Sequence, residues 1–170
     1  MKLNSEDGFE DVPFAEERYA GRQCVKGLYV DLYAARLPPP FSFAEHYWLL
    51  IGRDDSIDRW EVWQEPGGDS WGHLHRNLLT PTQSVSRRPS RFVRRWQGGT
   101  ADELAKRIEA SPTQYPWLNR YHYWPGPNSN TYVQWILGQS YQLGWRGFGR
   151  AYWGLRSARQ DPFVFGQNVD

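Results

Sequence analysis

Two apolar segments separated by a short polar turn favour an antiparallel sheet near the centre of this chain. Residues 44–52, AEHYWLLIG, are aromatic and aliphatic and end at Gly52, and residues 59–65, RWEVWQE, alternate apolar and polar side chains. Because successive side chains of a strand point to opposite faces, both segments fit strands of a sheet. The turn RDDSID at 53–58 allows the two strands to pair as a hairpin.

Further strands are predicted at 25–36, 73–79 and 92–97, with a possible short one at 148–154. A helix is predicted over 98–111, where Thr100 fits the N-cap and Glu103 completes a capping box. A second helix is predicted to begin near 128–130 and to have Gly138 as its C-cap. Strands that precede helices indicate an α+β fold with a mainly antiparallel sheet packed on helices.

Length and charge fit a single soluble domain. The chain has 170 residues and a net charge of +1, so no overall field favours nucleic acid or an anionic membrane as a partner. Residues 1–24 are polar and acidic and predict an N-terminal arm before one domain at 25–170. Because no segment fits a signal peptide or a membrane helix, we expect a cytoplasmic protein without membrane insertion.

Three smaller features have mainly structural explanations. The arginines of RRPSRFVRR at 87–95 fit an exposed edge strand better than a phosphate-binding patch, which remains the alternative. The single cysteine, Cys24, excludes an internal disulfide and fits a small buried side chain. His73 and His75 could form a ligand pair, but no third ligand has diagnostic spacing, so neither a metal nor another cofactor is predicted.

The turn PGPNSNT at 125–131 contains more polar residues than a helix start requires. Asn128, Ser129, Asn130 and Thr131 are all N-cap residue types, and one cap explains only one of them. The other three residues lie at the N-terminus of the predicted helix, where free backbone N–H groups and the positive end of the helix dipole are found. Such a position can combine a nucleophilic hydroxyl with an oxyanion hole.

A hydroxyl nucleophile needs a base, and His46 is the best candidate. It lies near the beginning of the strand at 44–52, where its side chain would project near a sheet end and a helix N-terminus. A lone histidine on a strand is more often a structural residue, which is the alternative interpretation.

The segment YPWLNRYHYWPGPNSNTYVQWIL at 115–137, with AEHYWLLIG upstream, resembles an uncharacterised bacterial family of unknown function over roughly residues 25–155. More distantly, it is similar to circularly permuted papain-like proteins, such as NlpC-type peptidases and the lecithin:retinol acyltransferase group. That resemblance implies a permuted papain-like architecture with Ser129 at the position of the catalytic cysteine and His46 as the base. It also implies a third polar residue that orients His46, for which His73 and Glu61 are the candidates.

Serine ionises far less readily than cysteine, so the sequence favours a non-catalytic relative that binds a peptide-like or acyl ligand, or a protein partner. The alternative is a hydrolase or acyltransferase that acts on an amide or ester through Ser129 and His46. The expected binding residues are the aromatic side chains Tyr115, Trp117, Tyr121, Tyr123 and Trp124, together with Asn128, Asn130 and Thr131 at the helix N-terminus.

Overall fold

The structure, a computed structural model, describes residues 27–152 and is built on a five-stranded antiparallel sheet. Its strands are β1 (Tyr29–Arg36), β2 (Glu45–Arg53), β3 (Ser56–Val62), β4 (Leu74–Arg76) and β5 (Arg91–Gln97). Two helices, α1 (Gly98–Gln114) and α2 (Ser129–Leu137), follow the strands, and a 3-10 helix covers Arg150–Tyr152. The predicted α+β class is confirmed. No helix in residues 27–152 combines the length and the hydrophobicity needed to cross a bilayer.

The most apolar segment of the sequence forms the central strand. The strands lie in the order β4-β3-β2-β1-β5, and β2 pairs with β1 and β3. Tyr47, Leu49 and Ile51 pack into the main core with α1 and α2, whereas Trp48 and Leu50 pack on the opposite face. Both faces of β2 are therefore covered, which explains why its sequence is almost continuously apolar.

A loop covers the face of the sheet that the helices leave free, which we call the second face. Residues 77–90 form this loop. Trp48 Nε1 donates a hydrogen bond of 2.9 Å to the Pro81 carbonyl, and Val85 packs against the cluster around Trp48. The sheet is therefore enclosed by two helices on one face and by a loop on the other.

The hairpin between β2 and β3 is confirmed, but its turn is shorter than predicted. Arg53 and Ser56 pair with each other, so that only Asp54 and Asp55 form the turn. The third strand consequently begins at Ser56, before the predicted 59, and it ends at Val62, before the predicted 65. The strand predicted at 73–79 is restricted to the three residues of β4.

The predicted capping box of the first helix is wrong. Gln97 is the N-cap of α1 and makes no side-chain cap bond, so Thr100 and Glu103 lie inside the helix. Pairing of Gln97 with Tyr29 extends β5 to the residue before Gly98. No loop is left in which Thr100 could act as a cap.

The remaining predictions differ in outcome. β5 is an edge strand, which confirms the structural explanation of the arginine-rich segment, and Gly138 is the C-cap of α2. The possible strand at 148–154 is replaced, as far as residue 152, by the 3-10 helix. The N-terminal arm and Cys24 lie outside the described residues.

Gly52 lies inside β2, although the sequence suggested that it ends the strand. It pairs with Tyr29 of β1, and a Cβ at Gly52 would overlap the Tyr29 ring. The ring occupies the space that the side chain of any other residue would need. A glycine is therefore required here by packing.

We expect Gly52→Ala to lower the free energy of unfolding by about 1–3 kcal/mol, because the Tyr29 ring must move. In a Tyr29→Ala background the same change should cost less than about 0.5 kcal/mol. Gly99→Ala is the control, since no atom lies within 4 Å of its added Cβ, and alanine favours a helix more than glycine does. Urea unfolding measures all these changes, and an equal cost of Gly52→Ala in both backgrounds would contradict this explanation.

Candidate functional site

The polar turn at 125–131 ends in a complete capping box. Asn128 is the N-cap of α2, and its Oδ1 accepts the backbone N–H groups of Asn130 and Thr131 at 3.0 and 3.2 Å. Thr131 Oγ1 in return accepts the Asn128 N–H at 3.1 Å and donates to the Gly149 carbonyl at 2.8 Å. Two of the four polar side chains therefore serve to start the helix.

Asn130 attaches the first turn of α2 to the central strand. Its Nδ2 donates to the carbonyls of Glu45 and Phe148, both at 2.9 Å, and its Oδ1 accepts the Tyr47 N–H at 3.1 Å. Pairing between β2 and β3 ends before this part of β2. The side-chain amide takes the place of a neighbouring strand and bonds the residues on both sides of His46.

Ser129 is the first residue of α2 and is buried. In contrast to its three polar neighbours, its hydroxyl makes no hydrogen bond with any of residues 27–152. Its backbone N–H has no acceptor there either, because the Asn128 side chain takes the N–H groups of the next two residues. A hydroxyl and an N–H group are thus both available at the positive end of the helix dipole.

His46 is held in one orientation on the second face. Its ring lies beside those of Trp48 and Trp63, with centroid distances of 5.8 and 5.5 Å, and its Nε2 is 2.8 Å from Glu61 Oε2. A carboxylate only accepts hydrogen bonds, so Nε2 carries the proton. In the neutral ring, Nδ1 then holds the free lone pair, and it has no hydrogen-bond partner among residues 27–152.

Glu61 is fully buried and is shared between His46 and Arg59, which is itself fully buried. Arg59 Nη2 donates to Glu61 Oε2 at 2.8 Å, the same oxygen that His46 binds. Arg59 Nε approaches Oε1 to 2.7 Å as an ion pair without hydrogen-bond alignment. Arg59 also donates to two carbonyls of the loop at 77–90 and lies over the Trp48 ring at 4.2 Å. The charges of Glu61 and Arg59 are therefore paired with each other.

Ser129 and His46 approach the same part of β2 from different sides. The body of α2 packs in the main core, whereas His46 lies among the rings of the second face. The first turn of α2 nevertheless reaches the edge of β2 at Glu45 and Tyr47. No hydrogen bond joins Ser129 to His46 in the described part of the chain.

The other histidines of the sequence analysis lie elsewhere. His73 Nδ1 bonds the Trp63 carbonyl at 3.0 Å, and its ring lies 5.6 Å from that of Tyr121. His75 Nε2 bonds the Glu65 carbonyl at 2.9 Å. Of the two candidates for orienting His46, only Glu61 contacts it. Within residues 27–152 no three His, Cys, Asp or Glu side chains are arranged to hold a metal ion.

The aromatic segment before the turn divides between the core and the surface. Tyr115 and Trp117 are buried in the main core, but Tyr123 and Trp124 are 67% and 71% exposed. The exposed part lines a groove of about 600 Å³, which we call the aromatic groove. Its residues are Gln64, Glu65, Tyr121, His122, Tyr123 and Trp124.

The aromatic groove is firmly attached to the start of α2. Asn128 Nδ2 donates to the Tyr123 carbonyl at 3.1 Å, and the His122 N–H donates to the Pro127 carbonyl at 2.8 Å. The Trp124 ring also packs edge-on against Phe148 at 5.8 Å. The groove wall and the helix N-terminus therefore form one hydrogen-bonded unit.

Two residues that shape the site, Arg59 and Trp63, are not among the predicted site residues. Arg59 lies on the same face of β3 as Glu61, because side chains two residues apart in a strand point the same way, and Trp63 follows directly after the strand ends at Val62. The alternation predicted for 59–65 already places Arg59 and Trp63 on the same face as Glu61. The alternation could not show that a loop buries Arg59 and Glu61, since arginine in a strand usually indicates exposure.

The roles of Ser129 and Asn130 in the turn can be tested by substitution. We expect Ser129→Ala to change the free energy of unfolding by less than about 0.5 kcal/mol, because no hydrogen bond is lost. Asn130→Ala should cost at least about 2 kcal/mol, because it leaves buried backbone groups of β2 without a partner. Chemical unfolding of both variants distinguishes them, and a larger loss for Ser129→Ala would contradict the assignment.

The buried carboxylate predicts a pH dependence. Burial raises the pKa of Glu61, but the hydrogen bonds and charges of His46 and Arg59 outweigh it and hold the pKa below its usual range. Glu61 therefore stabilises the fold fully above the unfolded pKa of about 4.3, and this contribution is lost as the pH falls through the lower folded value. The difference in unfolding free energy between the wild type and Glu61→Gln should shrink in acid. A difference that stays constant from neutral pH into acid would contradict the role of Glu61.

Comparison with known proteins identifies one family. The sequence pattern of DUF3750, described as a protein of unknown function, matches residues 27–152, close to the range of 25–155 expected from the signature. No curated protein and no solved structure matches the chain significantly, so the distant likeness to papain-like proteins gains no support from these comparisons. Because the match covers most of its length and includes both helices and all five strands, the chain belongs to the DUF3750 family.

Proposed function

We propose that this chain is a hydrolase or acyltransferase that acts on an amide or ester. In this proposal Ser129 is the nucleophile, His46 is the general base, and Glu61 orients His46. One observation supports it above others: Asn130 bonds both residues that flank His46. This attachment brings the preceding residue, Ser129, to the same end of β2 as the His46–Glu61 pair.

The proposed reaction begins when Ser129 Oγ attacks the carbonyl carbon of the substrate. Its proton passes to His46 Nδ1, the nitrogen that the bond to Glu61 leaves free. Negative charge develops on the carbonyl oxygen, where the free Ser129 N–H and the helix dipole stabilise it. The imidazolium then gives its proton to the leaving nitrogen or oxygen, and an acyl-serine remains.

The second half of the reaction distinguishes the two activities. His46 removes a proton from the incoming nucleophile, which attacks the acyl-serine. As the bond from the acyl carbon to Ser129 Oγ breaks, His46 gives that proton to Oγ and the free hydroxyl is restored. If the nucleophile is water, the protein is a hydrolase. If it is an amine or alcohol, the protein is an acyltransferase. The aromatic groove would bind the flat or apolar part of a peptide-like or acyl substrate.

A permuted papain-like architecture is part of this proposal. In that architecture a strand histidine precedes the helix that carries the nucleophile, and β2 and α2 have this order here. A thiolate can form before substrate binds, but a serine hydroxyl must lose its proton during the attack. The proposed site therefore depends on a well-oriented base, and Glu61 supports that orientation.

The second candidate function is ligand binding without catalysis. The exposure of Tyr123 and Trp124 beside a groove favours it, because exposed aromatic side chains are typical of recognition surfaces. In that case Ser129 is not reactive. A fluorescent aromatic peptide would then bind to wild type and to Ser129→Ala alike and would bind less tightly to Trp124→Ala.

The proposal is tested with fluorophosphonate and activated-ester probes, and mass spectrometry locates the adduct. We expect labelling of Ser129 in the wild type and none in Ser129→Ala. His46→Gln should slow labelling by about 10²–10⁴-fold, because the general base is lost. Glu61→Gln should slow it less, since His46 remains present but is no longer held by a carboxylate.

A cysteine variant controls for an intact but unreactive site. Cys24→Ala removes the single native thiol, and Ser129→Cys in that background supplies a better nucleophile. If iodoacetamide alkylates this cysteine faster when His46 is present, while wild-type serine stays unlabelled by every probe, the geometry is right and the catalytic proposal is wrong. If neither serine nor cysteine reacts in the folded proteins, both the pairing and the catalysis are refuted.

A further inference from the structure

A second cavity, which shares no lining residue with the aromatic groove, lies where β1 ends and β2 begins. It has a volume of about 390 Å³ and is formed by β1, β2, the start of β5 and the loop after α2. We call it the arginine pocket. Its charged lining residues are Arg36, Glu45, Arg91 and Arg146.

The single carboxylate of the arginine pocket is already fully paired. Glu45 Oε2 accepts from Arg91 Nη2 at 2.9 Å and from the Tyr47 hydroxyl at 2.8 Å, and Oε1 lies 3.4 Å from Arg36 Nε. Burial raises the pKa of Glu45, but the bonds from Arg91 and Tyr47 and the arginine charges hold it below its usual range. Glu45 is therefore charged at neutral pH, and three guanidinium groups face one carboxylate. Two positive charges remain in excess.

Two of the arginines retain free hydrogen-bond donors. Arg91 bonds Glu45 and Tyr47 through Nη2 alone, which leaves Nε and Nη1 without an acceptor in residues 27–152. The Arg146 side chain makes no hydrogen bond with any described residue, and its Nε is shielded from water. Its guanidinium is held over the Trp145 ring at 4.5 Å. A buried N–H without an acceptor is unfavourable, and a ligand oxygen would remove that penalty.

We propose that the arginine pocket binds the oxyanion group of a small ligand, a carboxylate or a phosphate, through Arg91 and Arg146. The forked N–H groups of arginine match both anions with two parallel hydrogen bonds. Arg91 belongs to the basic segment at 87–95, so part of that segment serves recognition in addition to protecting the sheet edge. The proposal is independent of the proposed catalytic function, since no atom of Ser129 or His46 lines the pocket.

The test measures binding of inorganic phosphate and of acetate by isothermal titration calorimetry at constant ionic strength. We expect at least one anion to bind wild type, and Arg91→Gln and Arg146→Gln to weaken that binding at least tenfold. Arg120→Gln is the matched control, because it removes the same charge from an exposed position outside the pocket and should bind like wild type. Phosphate binding alone identifies a phosphate-bearing ligand, and acetate binding alone identifies a carboxylate.

Two further variants separate anion binding from loss of folding and from the proposed catalysis. Arg146→Lys retains the charge but loses the fork, so it should also weaken binding if Arg146→Gln does not fold. Ser129→Ala should bind the anion like wild type, whatever the outcome of the labelling experiment. The proposal is overturned if neither anion binds folded wild type at millimolar concentration, or if Arg120→Gln weakens binding as much as the pocket variants.

Discussion

The side-chain amide of Asn130 sets the position of α2 relative to the central strand β2. Backbone N–H and C=O groups in a buried strand edge need partners, and β3 does not supply them beside the first residues of β2. An amide offers one acceptor and two donors, which match the Tyr47 N–H and the carbonyls of Glu45 and Phe148. Because shifting α2 by one residue would break all three bonds, the register between α2 and β2 is fixed. The position of Ser129 relative to His46 follows from that register.

A paired charge on the other face fixes the second half of the candidate site. Burying a carboxylate and a guanidinium is costly, and such a pair contributes little net stability compared with apolar side chains. Its effect here is geometric. Arg59 bonds Glu61 and two carbonyls of the loop at 77–90, so the loop, the strand and the carboxylate are held together. Glu61 is thereby fixed where it bonds His46 Nε2.

The sequence was sufficient where a local rule decides the structure. Alternation and a polar turn predicted the β2–β3 hairpin, and a run of cap-type residues located the start of α2. The sequence was insufficient where contacts with a distant segment decide the structure. Thr100 has the right residue type for a cap, but strand pairing reaches the helix before it. Four adjacent residues have cap propensity, and only the edge of β2 distinguishes Asn130 from Asn128. Arginine is usually exposed, and nothing in the strand indicates the loop that covers Arg59.

The sharing of Glu61 has a consequence for the proposed chemistry. Arg59 and His46 bind the same oxygen, so part of the carboxylate charge is already neutralised before His46 becomes protonated. A carboxylate that serves histidine alone stabilises the imidazolium more strongly. The proposed reaction therefore relies less on the strength of the base and more on the oxyanion stabilisation at the start of α2. This balance suits a substrate with a good leaving group, such as an activated ester, because its departure needs less help from the imidazolium proton.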